Sequence, residues 1–252
     1  MDQHAKAAAF RQMHREPPLL VLPNAWDVAS AQALAALQGC RALATTSAAV
    51  ARSLGWEDGE QAPVAEMIEA ARRIAAAVEV PVTADLERGY GDPVGTARAA
   101  WEAGLVGINF EDSTRAGLVP PDEQVEAIRA IRAAVPELVI NARVDVFLGI
   151  GRGDIVEAAE RANAYLDAGA DCAYPIMAPP DSIPALVHRI DGPINVVAQK
   201  GTPTPAELEE LGVARMTWGS GLAALAYAKA AEVAAAALAS NAGGSRVRSG
   251  RA

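Results

Sequence analysis

PVTADLERGYGD, residues 81–92, is the stretch that says most about the fold of this chain. It starts as a short apolar strand and ends in two carboxylates, Asp85 and Glu87, followed at once by a glycine-flanked loop. Side chains two residues apart in a strand point to the same face, so we expect both carboxylates to face one spot. Two convergent carboxylates at the carboxyl end of a strand suit a hard divalent cation. The alternative for an isolated D-x-E pattern is a solvated acidic turn after an edge strand.

Similar short apolar runs recur along the chain, and helical segments separate them. The eight runs cover residues 20–23, 42–46, 82–86, 107–111, 139–144, 172–176, 195–198 and 216–219. Alternation of strands and helices predicts a parallel sheet that helices cover on both faces. Eight such units in 252 residues predict an α/β fold, a (β/α)8 barrel of the TIM type. A doubly wound open sheet is the alternative, but no G-x-G-x-x-G motif follows the first run.

Helical periodicity and helix stops agree with this spacing. Apolar residues recur with a helical period in residues 65–78, 123–135, 155–168 and 205–211. Ala-Gly pairs end two helical segments, where Gly104 and Gly169 suit the left-handed conformation that follows a helix. The sequence has no internal Pro-, Gly- or Ser-rich linker, so we expect one barrel domain over residues 1–240. Residues 241–252 are small and basic, and we expect a flexible tail there.

Composition and charge limit the classes of partner. Hydrophobic residues make up 51% of the chain, as in a globular protein, and the net charge of −9 disfavours a nucleic-acid surface. The amino-terminal segment has no apolar signal region. Ala dominates residues 222–239, and Lys229 and Glu232 interrupt them, so we expect a packed terminal helix rather than a membrane span. The sequence therefore predicts a cytoplasmic protein that binds neither nucleic acid nor a membrane.

Polar side chains follow nearly every predicted strand. The segments are NAWD (24–27), TTS (45–47), DLE (85–87), NFED (109–112), NARVD (141–145) and WGS (218–220). In a TIM-type barrel the carboxyl ends of the strands meet on one face, and the chemistry takes place there. Repulsion among Asp85, Glu87 and Glu111 would be costly unless a cation offsets it. Mg²⁺ suits such a site because it binds few carboxylates directly and keeps several waters.

Arg143 has two interpretations. It could pair with Glu111 or Asp145 in an ion network of the barrel, or its planar fork could bind a substrate carboxylate. We favour the second, because Asn141 shares the same strand face. A rival mechanism uses Lys200 as a Schiff-base residue, although its neighbours form a Gly-Thr-Pro loop rather than a dry pocket.

In the order and spacing of these segments, together with LGWED (54–58), the chain resembles the isocitrate lyase/phosphoenolpyruvate mutase superfamily. The resemblance covers nearly the whole chain and implies a barrel with Mg²⁺, or alternatively Mn²⁺, near Asp85. It also implies roles for particular residues. The implied metal-site residues are Asp85, Glu87, Glu111 and Asp58; the implied catalytic residues are Arg143, Asp58, Ser47 and Glu111; and the implied substrate-binding residues are Thr45, Ser47, Ala48, Asn141, Arg143 and Trp26.

The resemblance further implies a reaction class and an assembly. Enzymes of this superfamily make or break a C–C or P–C bond next to an α-oxo or α-hydroxy carboxylate, through an enolate-type anion. We therefore expect a Mg²⁺-dependent lyase that cleaves a C–C bond in a small di- or tricarboxylate. The expected assembly is a homotetramer, a dimer of dimers, in which the Ala-rich terminal helices are exchanged between subunits.

Two departures from the family pattern bear on the substrate. Glu87 stands where the family usually has Asp. Residues 113–120, STRAGLVP, lack the Cys- and His-containing loop of isocitrate and methylisocitrate lyases, which disfavours those two activities, and lack the gating-loop Lys and Asn of the mutases. Phosphonomutase or phosphonopyruvate hydrolase chemistry, with Asp58 as nucleophile or water-orienting group, is the nearest alternative. A barrel that binds a carboxylate without catalysis is the alternative from another class.

Overall fold

The computed structural model of the chain describes residues 1–149, 151 and 153–244, with side chains described up to residue 240. Short strands alternate with helices, as the sequence predicts. The strands are β1 Leu20–Val21, β2 Asn24–Ala25, β3 Leu43–Thr45, β4 Val82–Asp85, β5 Gly107–Glu111, β6 Ser113–Thr114, β7 Gly117–Leu118, β8 Val139–Val144, β9 Cys172–Pro175, β10 Asn195–Val197 and β11 Arg215–Thr217.

The helices lie between the strands and at both ends of the described chain. They are α1 Gln3–Met13, α2 Val28–Ala35, α3 Ser47–Leu54, α4 Val64–Ala76, α5 Pro93–Glu102, α6 Pro121–Ala134, α7 Ile155–Asp167, α8 Ile183–Arg189, α9 Pro205–Glu210 and α10 Gly221–Gly244, with one 3₁₀ turn at Pro180–Ser182. The four helices predicted from periodicity are present to within about two residues at each end. Gly104 and Gly169 follow α5 and α7 with φ of 87° and 111°, the left-handed conformation expected of them.

The strand order identifies a barrel-type fold. A parallel sheet runs β2-β3-β4-β5-β8-β9, a second runs β1-β11-β10, and β6 and β7 form a small antiparallel hairpin. The parallel strands thus neighbour one another in chain order, as in a TIM-type barrel and unlike a doubly wound sheet. The two sheets do not form one closed ladder. Ala173 and Ile194 make a single bridge at one seam, and at the other Pro23 separates β1 from β2.

Helix α1, which the sequence analysis did not predict, covers the amino-terminal ends of the strands. Asp2 caps it by accepting a hydrogen bond from the Ala5 N–H at 2.8 Å. Its fully buried Phe10 packs in a cluster with Leu20, Leu22 and Val139. One end of the barrel is therefore closed by apolar packing, which leaves the carboxyl ends of the strands as the open end.

Helix α10 contacts the rest of the described chain near its start, where Ala223 is buried, and is largely exposed beyond it. Leu225, Val233 and Leu238 expose 68%, 59% and 71% of their surface. Its segment Gly221–Ser240 is long and apolar enough to cross a membrane by length and composition, and only 6% of it is buried. Within the part of the chain that the structure describes, most of this helix thus lacks the packing that we expect for it. We expect a flexible tail over residues 241–252; the helix extends through the first four of these residues to Gly244, and residues 245–252 lie outside the described residues.

Candidate active site

Asp85 lies at the carboxyl end of β4, and its neighbours fix one carboxylate oxygen and leave the other free. Its Oδ2 accepts hydrogen bonds from the backbone N–H and the hydroxyl of Ser47, at 3.2 and 3.0 Å. Its own N–H donates to Thr45 Oγ1 at 3.0 Å. Oδ1 is buried and has no hydrogen-bond partner among the described residues. A buried carboxylate oxygen without a donor is costly, so Oδ1 is suited to a ligand such as a cation.

Glu87 does not continue the strand, and its position corrects the geometric argument made from the D-x-E spacing. β4 ends at Asp85, and Glu87 has a left-handed φ of 51°. The rule that alternate residues share a face therefore does not apply between them. Glu87 is 3% exposed, and its carboxylate accepts hydrogen bonds from the Glu60 N–H at 2.6 Å and the Tyr90 hydroxyl at 2.7 Å. The turn, rather than the strand, places this carboxylate near Asp85.

Asp85 and three other predicted acidic residues form one carboxylate cluster, and the pKa values of those three are raised. Burial raises the pKa of Glu87 to about 7, and the charge of Asp58 adds to the effect. Partial burial and the charge of Asp85 raise the pKa of Asp58, which lies in an exposed loop. Burial also raises the pKa of Glu111, against the opposing charge of Arg143. The negative charge of Asp85 contributes to all three shifts, so it is the common neighbour of this carboxylate cluster.

Only part of this carboxylate cluster is available to bind a metal ion directly. Within the described part of the chain, no three His, Cys, Asp or Glu side chains are arranged to hold an ion together. Both Glu87 oxygens are occupied by protein donors, whereas Asp85 Oδ1 has none. The residues therefore suit an ion held directly by Asp85 and through waters by the other carboxylates, which is how Mg²⁺ commonly binds.

Arg143, at the end of β8, is held by two carboxylates. Its Nε and Nη2 donate to the two oxygens of Asp145 at 2.6 and 2.8 Å, and Nη2 lies 2.5 Å from Glu111 Oε2. Burial alone would lower the pKa of Arg143, but Asp145 and Glu111 outweigh it and raise that pKa. The ion network that we treat as the alternative is thus present. Nη1 has no partner in these interactions, so one donor remains for a ligand.

The predicted substrate-binding residues fall into two groups. Thr45 and Ser47 contact Asp85, and Ala48 lies in the first turn of α3, where the side chain of the N-cap residue, Thr46, makes no capping hydrogen bond. Free N–H groups at a helix N-terminus suit a carboxylate. Asn141 lies fully buried beneath Arg143, where it donates to Asn109 Oδ1 at 2.8 Å.

Trp26, the remaining predicted substrate-binding residue, makes apolar contacts. It packs with the apolar cluster of α3 and α4, and its ring is 6.0 Å from the ring of Tyr227 in α10. A cavity of about 550 Å³ adjoins it, lined also by Ser53, Leu54 and Arg73, but it contains none of the four clustered carboxylates. The cavity's size alone therefore does not identify the active site, and the side-chain chemistry at Asp85 does. Lys200, the rival Schiff-base residue, is exposed.

Sequence reasoning missed several residues that support the site. Glu60 is not among the predicted site residues. Its carboxylate accepts a hydrogen bond from the Tyr90 N–H at 2.6 Å, and its own N–H donates to the Glu87 carboxylate. Its positive φ of 58° is unusual for a residue other than glycine and has no sequence signal. Ser113 donates to Asp145, and the fully buried Asp112 accepts from the Asp145 N–H at 2.8 Å. Both residues lie in GINFEDST, residues 107–114, so the polar residues of this segment are the sequence feature that could have indicated them.

Comparison with known proteins gives the family. The model of the phosphoenolpyruvate phosphomutase family matches residues 10–238. The chain belongs to the phosphoenolpyruvate mutase family. This confirms the resemblance to the isocitrate lyase/phosphoenolpyruvate mutase superfamily, and at the level of the family it confirms an enzyme of that type and the barrel-type fold.

Relatives in the family include both lyases and mutases. An uncharacterised protein of Mycobacterium tuberculosis is 38% identical over 227 residues, 87% of each chain. The 2-methylisocitrate lyase of Bacillus subtilis is 32% identical over 69% of this chain and 60% of its own length. A structure from Burkholderia cenocepacia J2315, described provisionally as a phosphonomutase, is 39% identical with a TM-score of 0.82, covering 92% of this chain and 98% of that one.

One structural relative has been solved with small carboxylates bound. Oxaloacetate acetylhydrolase in complex with its product oxalate is 26% identical with a TM-score of 0.81, covering 92% of this chain and 86% of that one. It has also been solved with the inhibitor 3,3-difluorooxalacetate. The relatives of this chain thus carry out more than one reaction, so the family alone does not name its substrate.

Proposed function

We propose that the chain is a divalent-metal-dependent lyase that cleaves a C–C bond in a small α-oxo or α-hydroxy dicarboxylate of the oxaloacetate or malate type. The observation that supports this most is the free, buried Oδ1 of Asp85 within the carboxylate cluster. Asp85 would bind Mg²⁺ directly, and Glu87, Glu111 and Asp58 would hold its waters. When bound, the ion would act as a Lewis acid and offset the negative charge that develops on the substrate.

The chain's own residues would bind and orient the carboxylate next to the cleaved bond. Arg143 Nη1 is free to donate to that carboxylate, while Asp145 and Glu111 hold the guanidinium in place. At the start of α3 the Ser47 N–H donates to Asp85 Oδ2, whereas Thr46 caps none of the N–H groups that follow, around Ala48, and these suit an anionic oxygen. Such preoriented donors stabilise charge in the transition state without reorganising, which is a large contribution to catalysis.

The lyase proposal can be tested by product analysis. The purified protein with Mg²⁺ would be incubated separately with oxaloacetate, malate and phosphonopyruvate, and products would be followed by ¹H and ³¹P NMR. We expect C–C cleavage of one dicarboxylate and no cleavage after addition of EDTA. Turnover of phosphonopyruvate alone, or turnover that EDTA leaves unchanged, would contradict the proposal.

Phosphonomutase or P–C hydrolase chemistry is the second candidate. It is supported by the 39% identical Burkholderia structure, described provisionally as a phosphonomutase, and by Asp58, whose pKa the charge of Asp85 raises. In that case Asp58 would act as nucleophile or orient a water. The ³¹P spectrum of the phosphonopyruvate reaction separates this candidate from the lyase.

A further inference from the structure

Arg115 lies at the turn of the β6–β7 hairpin, which begins directly after β5 at the open end of the barrel. Its Nη2 is 3.4 Å from the backbone oxygen of Asp58. A Cβ on Gly59 would lie 3.3 Å from its Nε and 3.6 Å from its Nη2, and the φ of Gly59 is +86°. Because Gly59 has no side chain, the guanidinium can lie directly against the loop that carries Asp58.

The hairpin contacts the proposed site at two places, its first residue and its turn. At its start, Ser113 donates a hydrogen bond to the Asp145 carboxylate, which in turn holds Arg143. At its turn, Arg115 contacts the loop of Asp58, whose carboxyl group is close enough to Asp85 for their charges to interact. Arg115 is therefore positioned at the edge of the carboxylate cluster, on the side of Asp58.

The charges at this end of the barrel leave Arg115 as an available cation. Arg143 is already paired with two carboxylates. Arg88 pairs with Glu123 on the outer side. Arg115 is exposed and forms no ion pair with any residue that the structure describes. A substrate with two carboxylates would place one near Asp85 and Arg143, and the second would require a positive partner in a strongly acidic setting.

We infer that Arg115 binds the carboxylate on the fragment of the substrate that departs, and so selects substrates whose departing fragment carries a carboxylate. This inference rests on the proposed lyase function. It assigns a specificity role to residues 113–118, where the chain lacks the Cys- and His-containing loop of the isocitrate lyases. Arg115 touches substrate in this account and takes no part in bond breaking.

Two ligands that differ in their far end test the inference. Oxalate and 3,3-difluorooxalacetate are a product and an inhibitor of oxaloacetate acetylhydrolase. In this account oxalate would occupy the position near Asp85, and 3,3-difluorooxalacetate would also present the distant carboxylate. Binding of each would be measured by calorimetry with Mg²⁺ present, for the wild type and for Arg115→Gln, Arg115→Lys and Arg129→Gln. Arg129 is the matched control, because it is an exposed arginine on α6 whose partner is Glu126.

We expect Arg115→Gln to weaken binding of 3,3-difluorooxalacetate by roughly 10- to 100-fold, the size of a charge-assisted hydrogen bond. Oxalate binding should stay within about twofold, since a residue at the far end does not contact it. Arg115→Lys should recover part of the loss, because it keeps the charge without the planar fork. Arg129→Gln should bind both ligands as the wild type does.

The results distinguish a failure of the Arg115 inference from a failure of the lyase proposal. If the wild type binds both ligands and Arg115→Gln changes neither, or weakens both equally, the Arg115 inference is wrong and the lyase proposal stands. If the wild type binds neither ligand with Mg²⁺, the proposed function fails and the inference fails with it. Circular dichroism of each variant establishes that the exposed substitution leaves the fold intact.

Discussion

Arg143 shows how one side chain can serve both structure and binding. Three of its contacts go to Asp145 and Glu111, which fix the direction of the guanidinium, and Nη1 remains for a ligand. The geometry therefore combines the two interpretations that the sequence leaves open. The pairing supplies the orientation, and the remaining donor supplies the proposed contact with substrate.

Replacing Arg143 with Lys tests this dual role. A lysine ammonium cannot keep the two parallel bonds to Asp145 and also present a donor to substrate. We expect kcat/KM to fall by about 100-fold, comparable with removing one oriented donor from an active site. Steady-state kinetics measures the effect. Arg129→Lys, on the exposed face of α6, is the control and should retain activity; equal activities in the two variants would argue against the role.

His14, at the end of α1, gives a prediction about pH. Its Nδ1 donates to the Phe10 carbonyl at 2.8 Å, and burial together with Arg215 lowers its pKa from 6.5 to about 4. A pKa below the unfolded value means that its contribution to stability is complete above pH 6.5 and is lost as the pH falls towards 4. Between pH 7 and pH 5 the folded state should lose about 2 kcal/mol from this group.

Comparison with His14→Gln isolates that contribution. Both proteins would be unfolded in urea at several pH values, and the difference between their unfolding free energies would be plotted. Other titrating groups, such as the buried carboxylates, affect both proteins and cancel. We expect the wild type to lose more stability than the variant below pH 6.5. Parallel curves would show that His14 does not titrate as described.

At the scale of elements, a buried network joins β5, β8 and α7 behind the site. Asp112, which is fully buried, accepts hydrogen bonds from the Asp145 N–H and the Tyr165 hydroxyl, each at 2.8 Å, and pairs with Arg161 at 3.2 Å. It thereby fixes the strand end that carries Asp145, the partner of Arg143. The position of the guanidinium depends on helix α7 through this network.

Asp112→Asn should destabilise the protein by about 3 kcal/mol, because it removes the fully buried one of the two carboxylates that pair with Arg161. The free energy of unfolding in urea measures this loss. Glu157→Gln is the matched control, since Glu157 also pairs with Arg161 at 3.2 Å but is partly exposed. It should cost about 1 kcal/mol or less. Similar losses in both variants would contradict the importance given to burial.

The sequence predicts the helices and strands better than the turns after them and the side-chain pairs between them. Helix periodicity and the glycines after α5 and α7 are local properties, so they could be found without a structure. Glu87 could not be placed, because its left-handed φ arises from a turn fixed by Glu60 and Tyr90. The pairing of Arg143 could not be chosen either. It depends on the register that sets Glu111 opposite Arg143, which no local pattern specifies.

For the whole molecule, the exposed apolar surface of α10 has a consequence for assembly. Leu225, Val233 and Leu238 are more than half exposed in one chain, and burial of such side chains stabilises by about 1.5–3 kcal/mol each. We expect the full chain to be a homotetramer in which this helix packs on a neighbouring subunit. Light scattering coupled to size-exclusion chromatography would measure the mass.

A triple variant with Gln at residues 225, 233 and 238 should form smaller species, because glutamine cannot contribute the same apolar burial. Leu37→Gln provides the control, since Leu37 is 57% exposed but lies just after α2, away from α10 in the sequence. It should keep the wild-type mass. A wild-type protein that elutes as a monomer would refute the expected assembly.

The most direct test of the central claim is the binding of oxalate to the wild type and to Asp85→Asn, measured by calorimetry with and without Mg²⁺. We predict that the wild type binds oxalate only when Mg²⁺ is present. Asp85→Asn should bind oxalate in neither condition while remaining folded, since among the described residues Asp85 is the carboxylate with a free buried oxygen. Mg²⁺-dependent oxalate binding that persists in Asp85→Asn would contradict the proposed site.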